Sequence, residues 1–423
     1  MKQSGVEWIG KIPEDWKVYR NKNAFICNKE IVGKNSNSTQ LLSLTTGGIK
    51  CKDINNAEGK LPESFDTYQY VKKNDVVMCL FDLDMSAVFS GISQYDGMIS
   101  PAYKVLSCQD RANPLFVHYW FSYIFDGRKF NHYAKNIRYT LNYDEFATLP
   151  ILLPPKETQQ CIASYLDKKC NKIEETIQNQ QQVIEKLKAY KQSLITEAVT
   201  GKVKIANGKA CGEYESYKDS GVEWIGKIPS EWEVKKLKFS SQIMRGLFSH
   251  RPRNDPDYYD GVHPFIQTGE VARAVKYITT YSQTLNELGF SVSREFPAGT
   301  VLLTIAANVG DVAILDFNAC FPDSVIGFYP KENVSKIFMF YVLKSMKEQF
   351  MRNAIISTQM NLNINIVKEE FIPLPSLAEQ KEIVKFLEKK SDYIDTAIEQ
   401  KQNLIEKLTE YKKSLIYECV TGK

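Results

Sequence analysis

Beyond the aromatic segment Leu115–Phe125 the chain turns basic and amide-rich. Arg128, Lys129, Asn131, Lys135, Asn136, Arg138 and Tyr139 stand close together there, with Phe130, His132 and Tyr133 among them. A similar change follows Ile337–Met346, where Arg352 leads to Gln359, Asn361 and Asn363. Arginine offers paired donors to guanine, Asn and Gln pair with adenine, and Lys, Ser, Thr and Tyr hold the phosphate backbone. Both segments are therefore candidate DNA-reading surfaces. Arg245, Arg251, Arg253 and Asn254 form a further cluster, interrupted by Gly246 and Pro252 and so read as a loop, where binding residues are commonly carried on a rigid frame. Lys50 and Lys52 join the candidate DNA contacts of the first half.

Catalytic signatures do not accompany these clusters. The sequence holds no GxGxxG or Walker A loop, and its spacings assemble no acid, base or nucleophile constellation. Asn254-Asp-Pro-Asp-Tyr258 is a faint likeness of the Asn/Asp-Pro-Pro-Tyr motif of amino-methyltransferases, without the second proline or a glycine-rich cofactor loop. The four histidines (118, 132, 250 and 263) show no HExxH spacing, and His118, inside an aromatic helix, reads as structural. Nine scattered cysteines without a CxxC pair argue against a disulfide frame or thiolate zinc site, and are read as reduced, mostly buried thiols. A net charge of +4 is too small to decide nucleic-acid binding, so the clustering of charge carries that argument. A DNA reader without chemistry of its own needs enzyme partners.

The frame that must position these residues is written twice. Ser4-Gly-Val-Glu-Trp-Ile-Gly-Lys-Ile-Pro13 returns unchanged as Ser220 to Pro229. The segment 185–202 returns as 406–423 with thirteen of eighteen residues identical. Between these ends the halves diverge: Lys50-Cys-Lys-Asp, Phe81-Asp-Leu-Asp and Arg138-Tyr-Thr-Leu have no clear counterparts. Constant ends around divergent middles imply one frame with two recognition surfaces. At 423 residues and 43% apolar content, two globular domains are expected. No apolar run approaches the roughly 20 residues that span a bilayer, and Met1-Lys-Gln-Ser leads into no signal-peptide core, so the expected location is cytoplasmic.

Residues 156–200 and 376–421 lack glycine and proline. In the first, Ile173, Ile177, Gln180, Ile184, Leu187, Lys191, Leu194 and Ala198 alternate by four and three; in the second, Ile394, Ile398, Lys401, Ile405, Leu408, Lys412, Leu415 and Cys419 do likewise. That is a heptad seam, narrower than the stripe a helix lays on a globular core, so the two helices are expected to pack on each other. Ser376 and Glu379 have capping-box spacing, while Gly201 and Gly422 stand where left-handed C-caps belong. At about 1.5 Å per residue each helix makes a rod of roughly 65 Å. A short linker between the halves implies an antiparallel pair about a pseudo-twofold axis, with the chain ends close enough for circular permutation. Strands are expected at 75–81, 100–106, 300–306, 311–315 and 324–328. The fold class is α+β, with mixed or antiparallel sheets and one principal helix per domain. The expected boundaries are domains at 1–153 and 220–374, helices at 154–202 and 375–423, and a linker at 203–219.

This organisation resembles the specificity subunits of type I restriction-modification systems over essentially the whole chain. The resemblance rests on the repeated Ser-Gly-Val-Glu-Trp segment with a following Trp16 or Trp232, on the helix starts Leu153 to Gln159 and Leu374 to Gln380, and on the closing Val-Thr-Gly-Lys segments. Gln359-Met-Asn-Leu362 also matches, whereas the first half has Arg138-Tyr-Thr-Leu-Asn142 in its place. The resemblance implies two target recognition domains, each reading half of a split DNA sequence, with the helices setting their separation. It implies two methyltransferase (M) subunits and two restriction/translocase (R) subunits as partners. S-adenosylmethionine, ATP and Mg are then expected on those partners and no cofactor or metal on this chain, which performs no transfer itself. An adenine in each half-site would be flipped out for methylation. A half-site separation near one DNA turn, about 34 to 36 Å, suits rods of this size. Trp8, Ile9, Trp224 and Ile225, with the outer helical surface, are the expected docking points. The near-identical repeats also raise exchange of recognition domains by recombination. Two alternatives remain open: a specificity subunit serving a methyltransferase without a nuclease, and a coiled-coil scaffold that binds only proteins.

Overall fold

The glycine- and proline-free stretches become two long helices, Lys156–Val199 and Leu377–Thr421. These belong to a computed structural model that describes residues 1–53, 62–134, 139–356 and 360–423. The second helix opens on the expected capping box, in which Glu379 N donates to Ser376 Oγ (3.3 Å) and Ser376 N to Glu379 Oε2 (3.2 Å). Both helices close on a glycine at φ +71°, with Lys202 N reaching back to Glu197 O (2.9 Å) and Lys423 N to Glu418 O (3.0 Å). These are 6→1 bonds of the Schellman kind, which the left-handed glycine permits. Every residue of the two heptad seams is buried or partly buried.

The chain divides into two compact units, Met1–Gln181 with Lys401–Lys423, and Gln182–Gln400. Unit 1 therefore contains the start of the first long helix and the end of the second. Within it the two pieces run antiparallel, since Lys401 Nζ donates to Gln180 Oε1 (3.0 Å) while Lys412 pairs with Glu174. Gln180 and Lys401 occupy the same place in the 221-residue repeat, and here they bond to one another. Unit 2 holds the end of the first helix and the start of the second, joined by Lys191 and Asp395 at 2.6 Å. That ion pair is the repeat equivalent of Lys412 and Glu174.

The main sheet of unit 1 runs in the order Phe25–Asn28, Lys104–Cys108, Val76–Met78, Ser90–Ile92, all antiparallel. Unit 2 repeats that order with Ser241–Arg245, Val325–Pro330, Val301–Thr304 and Val312–Leu315, and adds Tyr277–Ile278 as a parallel edge. One aromatic helix accompanies each sheet, Pro114–Asp126 and Lys336–Ser345, and contributes most of its buried side chains to the unit's core. The strand 104–108 begins four residues later than the expected 100–106. Ser100 to Tyr103 instead form a turn, closed by Tyr103 N on Ser100 O (3.2 Å).

A buried glutamine ties each aromatic helix to the start of a long helix. In unit 1, Gln159 Oε1 accepts from Asn113 N (2.8 Å) and its Nε2 donates to Arg111 O and Pro154 O (both 2.8 Å). In unit 2, Gln380 Oε1 accepts from Ser335 N (2.8 Å) and its Nε2 donates to Asn333 O and Pro375 O (both 3.0 Å). Both side chains are essentially inaccessible, so these bonds satisfy polar groups that would otherwise be stranded. The helix ends repeat a contact as well. A Cβ on Gly422 would run into the ring of Pro13 and approach Trp16; one on Gly201 would do the same to Pro229 and Trp232.

Three expectations change. The helices pack on each other along the seam, yet their ends also enter the cores: Ala163, Leu166, Cys170, Ile173, Leu415, Ile416 and Val420 in unit 1, and Ile195, Ala198, Val199, Ile383 and Leu387 in unit 2. Residues 203–219 are built into unit 2 rather than forming a plain linker. Ile205–Ala206 pairs with Lys209–Ala210, Gly208 N bonds Glu382 Oε2 (2.7 Å), and Tyr217–Asp219 pairs with Lys227–Pro229. The nine free thiols are not mostly buried, since Cys51, Cys161 and Cys211 are exposed and only Cys79, Cys170 and Cys320 are fully enclosed. Among the described residues no helix is long and apolar enough to cross a membrane.

Candidate nucleic-acid interface

In unit 2 the site grows from one strand end. Ser241–Arg245 runs antiparallel to Val325–Pro330 with Arg245 opposite Ile326, so the chain leaves the first strand directly over the turn that enters the second. Gly246 N donates to Val325 O (2.9 Å), and a Cβ at Gly246 would collide with the carbonyls of Phe321 and Pro322. Glycine is required by that close backbone approach.

Three arginines converge on Asp323 in this turn. Arg245 Nε donates to its backbone oxygen (2.5 Å), Arg251 Nη2 reaches Oδ2 (3.5 Å), and Arg253 Nη2 pairs with Oδ1. Arg251 is also held by Nη1 bonds to Phe248 O (2.6 Å) and His250 O (2.7 Å). The surrounding loop is fixed by its own contacts: His250 Nε2 meets Asp255 Oδ2 at 2.9 Å, its ring stacks on Tyr258 at 3.8 Å, and Tyr259 donates its hydroxyl to Arg253 O. A fourth arginine, Arg294, donates to Arg245 O (3.1 Å). Sequence reasoning missed it because Ser293-Arg294-Glu295 has no basic neighbours. All four arginines and Asn254 are exposed. The result is a preorganised guanidinium cluster around a single carboxylate.

Backbone bonds connect this cluster to the other candidate segment of unit 2. Ile305 N donates to Ser324 O (2.9 Å), and Leu362 N donates to Ile305 O (2.7 Å). The Asp323 turn and the segment Met360–Asn363 thus flank Ile305 at one end of the sheet. Asn361 is exposed there, as is Arg352 in the helix Lys347–Asn353. Asn363 is partly committed elsewhere, because its Oδ1 caps the helix Ile364–Glu369 by accepting from Asn365 N (2.9 Å). Gln359 lies outside the described residues.

Unit 1 builds the same connection with different chemistry. Leu141 N donates to Leu80 O (2.8 Å), the counterpart of the Leu362 and Ile305 bond. Leu83 N donates to Tyr139 O (3.3 Å), and Arg128 Nη1 to Leu83 O, so Arg128 and Tyr139 meet at the loop 81–85. Arg128 also lies 5.0 Å over Phe125, which makes it a brace for that loop as well as an exposed cation. Lys129 and Asn131 are half-buried; Lys135, Asn136 and Arg138 lie outside the described residues. Met85 stands 85% exposed in the same loop. A groove of about 550 Å³ opens beside it, lined by Lys29, Lys104, Thr140, Leu141 and Asn142 among others. Neither lysine was singled out from sequence, since each stands at a strand end that only the sheet order brings together. Lys50 and Lys52 do not join them. Their hairpin, Leu42–Thr45 with Gly48–Cys51, packs Leu44 and Ile49 on Gly91 and borders a groove shared with His118, Glu174 and Lys412.

Of the expected docking points, the two isoleucines are closed to solvent and the two tryptophans stay partly exposed. Ile9 and Ile225 are each 1% exposed and belong to the cores. Trp8 is half-buried against Trp120 (5.9 Å) and donates to Tyr133 Oη (3.1 Å), while Trp224 packs on the unit 2 core. Apolar rings next to a large aromatic cluster gain more from burial than from facing solvent. Tyr190 and Tyr411 are instead what the repeated helical segment exposes, each at 54%.

Residues 229–408 match the family described as the type I restriction modification DNA specificity domain. A putative type I restriction enzyme MjaX specificity subunit from Methanocaldococcus jannaschii is 25% identical over 98% of this chain and 95% of its own length. Among solved structures, a chain from work on complex assembly and conformational transition of the type I R-M system superposes with a TM-score of 0.72 at 14% identity, covering 97% of this chain and 98% of that one. The HsdS subunit from Thermoanaerobacter tengcongensis gives a TM-score of 0.52 at 16% identity over the full length of both chains. These structural likenesses concern the fold.

Proposed function

We propose that this chain is a specificity subunit of a type I restriction-modification system and that each unit reads one half of a bipartite DNA target. The observation that carries this reading is the shared sheet end. Both units bring a loop and a Leu-Asn segment to the same place, one presenting Arg245, Arg251, Arg253 and Arg294, the other Arg128, Tyr139, Lys29 and Lys104. Different donors on one scaffold read different bases, and arginine is suited to both guanine edges and phosphates.

Chemistry then falls to partners. Two methyltransferase subunits, bringing S-adenosylmethionine, would modify an adenine in each half-site after flipping it from the duplex. Two restriction and translocation subunits, with ATP and Mg, would complete the nuclease. The repeated helical segments, with Tyr190 and Tyr411 exposed at equivalent positions, offer the same docking surface twice. This chain holds the DNA and sets the spacing without transferring a group itself.

Single-molecule sequencing of N6-methyladenine tests this, comparing hosts that carry the neighbouring methyltransferase with and without this chain. The expected outcome is a split motif methylated only when the chain is present. Unchanged methylation with assembled, active partners would overturn the reading and leave a protein-binding scaffold.

A further inference from the structure

Asp323 is an unusual residue to find at the centre of a DNA-contacting arginine cluster. Its carboxylate is 30% exposed, and each of its oxygens takes one guanidinium, Oδ2 from Arg251 and Oδ1 from Arg253. Two oxygens on one anionic centre, each met by a separate arginine, is how a backbone phosphate would be held at the same place. Both guanidinium-bearing side chains remain about half exposed, 52% for Arg251 and 46% for Arg253, so the pair faces solvent rather than a core.

Two of the three arginines do not depend on the carboxylate for their positions, whereas the Arg253 guanidinium is held by Asp323 Oδ1. Arg251 keeps two carbonyl bonds through Nη1, the backbone of Arg253 is pinned by Tyr259, and Arg245 uses the backbone oxygen of Asp323 rather than its side chain. Removing the negative charge would therefore leave Arg245 and Arg251 as built and release the half-exposed Arg253 guanidinium for an incoming anion. We propose that Asp323 is a phosphate placeholder: in the DNA-free protein it occupies the Arg251 and Arg253 fork, and a DNA phosphate displaces it on binding. This rests on unit 2 being a DNA reader. Its consequence is a brake on non-specific binding. A random duplex offers only phosphate attraction, which must compete with the resident carboxylate, whereas the correct half-site adds base contacts that outweigh it.

The test compares the full-length wild type with Asp323→Asn and Asp323→Glu, titrating a duplex of random sequence and one carrying the cognate motif over a range of salt. Asp323→Asn is expected to bind the random duplex several-fold more tightly, with a log–log salt slope steeper by about one unit, as for one more phosphate neutralised. Cognate affinity should rise less, so the specificity ratio falls, and Asp323→Glu should restore wild-type behaviour in large part. Unchanged affinity and slope in Asp323→Asn would overturn the placeholder role. Weaker cognate binding would overturn it too, and would make Asp323 a positioning residue for the arginines. A wild-type chain that binds neither duplex in a salt-dependent way would instead overturn the reading of unit 2 itself.

Discussion

Unit 1 and unit 2 agree wherever the chain is frame and part wherever it meets solvent at the sheet end. The buried glutamines 159 and 380 make the same three bonds, glycines 201 and 422 close on the same proline and tryptophan pair, and the sheets share one strand order. Against this, unit 2 carries three arginines on Asp323 with Arg294 behind Arg245, and a second sheet of Tyr259–Phe265, Gln283–Leu285, Glu295–Phe296 and Ala319–Cys320. Unit 1 offers two lysines, a bracing arginine and an exposed methionine. Packing constrains the first set of residues and leaves the second free to differ.

The sharpest way to break this comparison is at the helix ends. Gly201→Ala and Gly422→Ala each force a side chain into a left-handed backbone and a proline ring, and each should cost about 2 to 5 kcal/mol in denaturant unfolding. A large cost at one site with none at the other would mean that the frame is not shared. Next in size, Gln159→Leu or Gln380→Leu strands one amide and two carbonyls, and should cost about 2 to 4 kcal/mol. Function should part where stability does not. Arg253→Ala is expected to leave folding intact while making the salt slope of DNA binding shallower by about one unit.

A smaller effect separates the units by pH. His118 is held below its usual pKa of 6.5, chiefly by burial and secondarily by Lys412, whereas the corresponding position five residues beyond the helix cap in unit 2 is Phe340. The unfolded chain takes up a proton that the folded one resists, so stability present above pH 6.5 is lost as the pH falls below it. His118→Phe should flatten that loss in pH-dependent melts, with no matching change on replacing Phe340. Smallest of all, Asp395→Asn and Glu174→Gln should each cost no more than about 1 kcal/mol, because both ion pairs are partly exposed.

Much of the frame was legible in the sequence. The seams, the capping box at Ser376, the glycine C-caps and both aromatic helices follow from periodicity and local chemistry, which act over a few residues. The resemblance to the specificity subunits also covered the whole chain. The site was legible in part. Arg245, Arg251 and Arg253 stand out as a cluster, but Arg294 joins them in unit 2, and Lys29 and Lys104 come together in unit 1, only through pairings between distant segments. Ile9 and Ile225 misled because an invariant repeat reads equally as surface or core, and here the neighbouring aromatic rings claim them. Asn363 is legible as a base reader by residue type, while the cap that engages its Oδ1 depends on the helix Ile364–Glu369 starting there.

The most direct measurement is methylated-motif sequencing of a host carrying the partner methyltransferase with wild type, and then with Arg251 and Arg253 both replaced by alanine. If the two units read independently on a common frame, the variant should relax or lose only one half of the split motif while the other half and the spacing stay fixed. Equal degradation of both halves, by a variant that folds and assembles normally, would contradict the division of reading between the units.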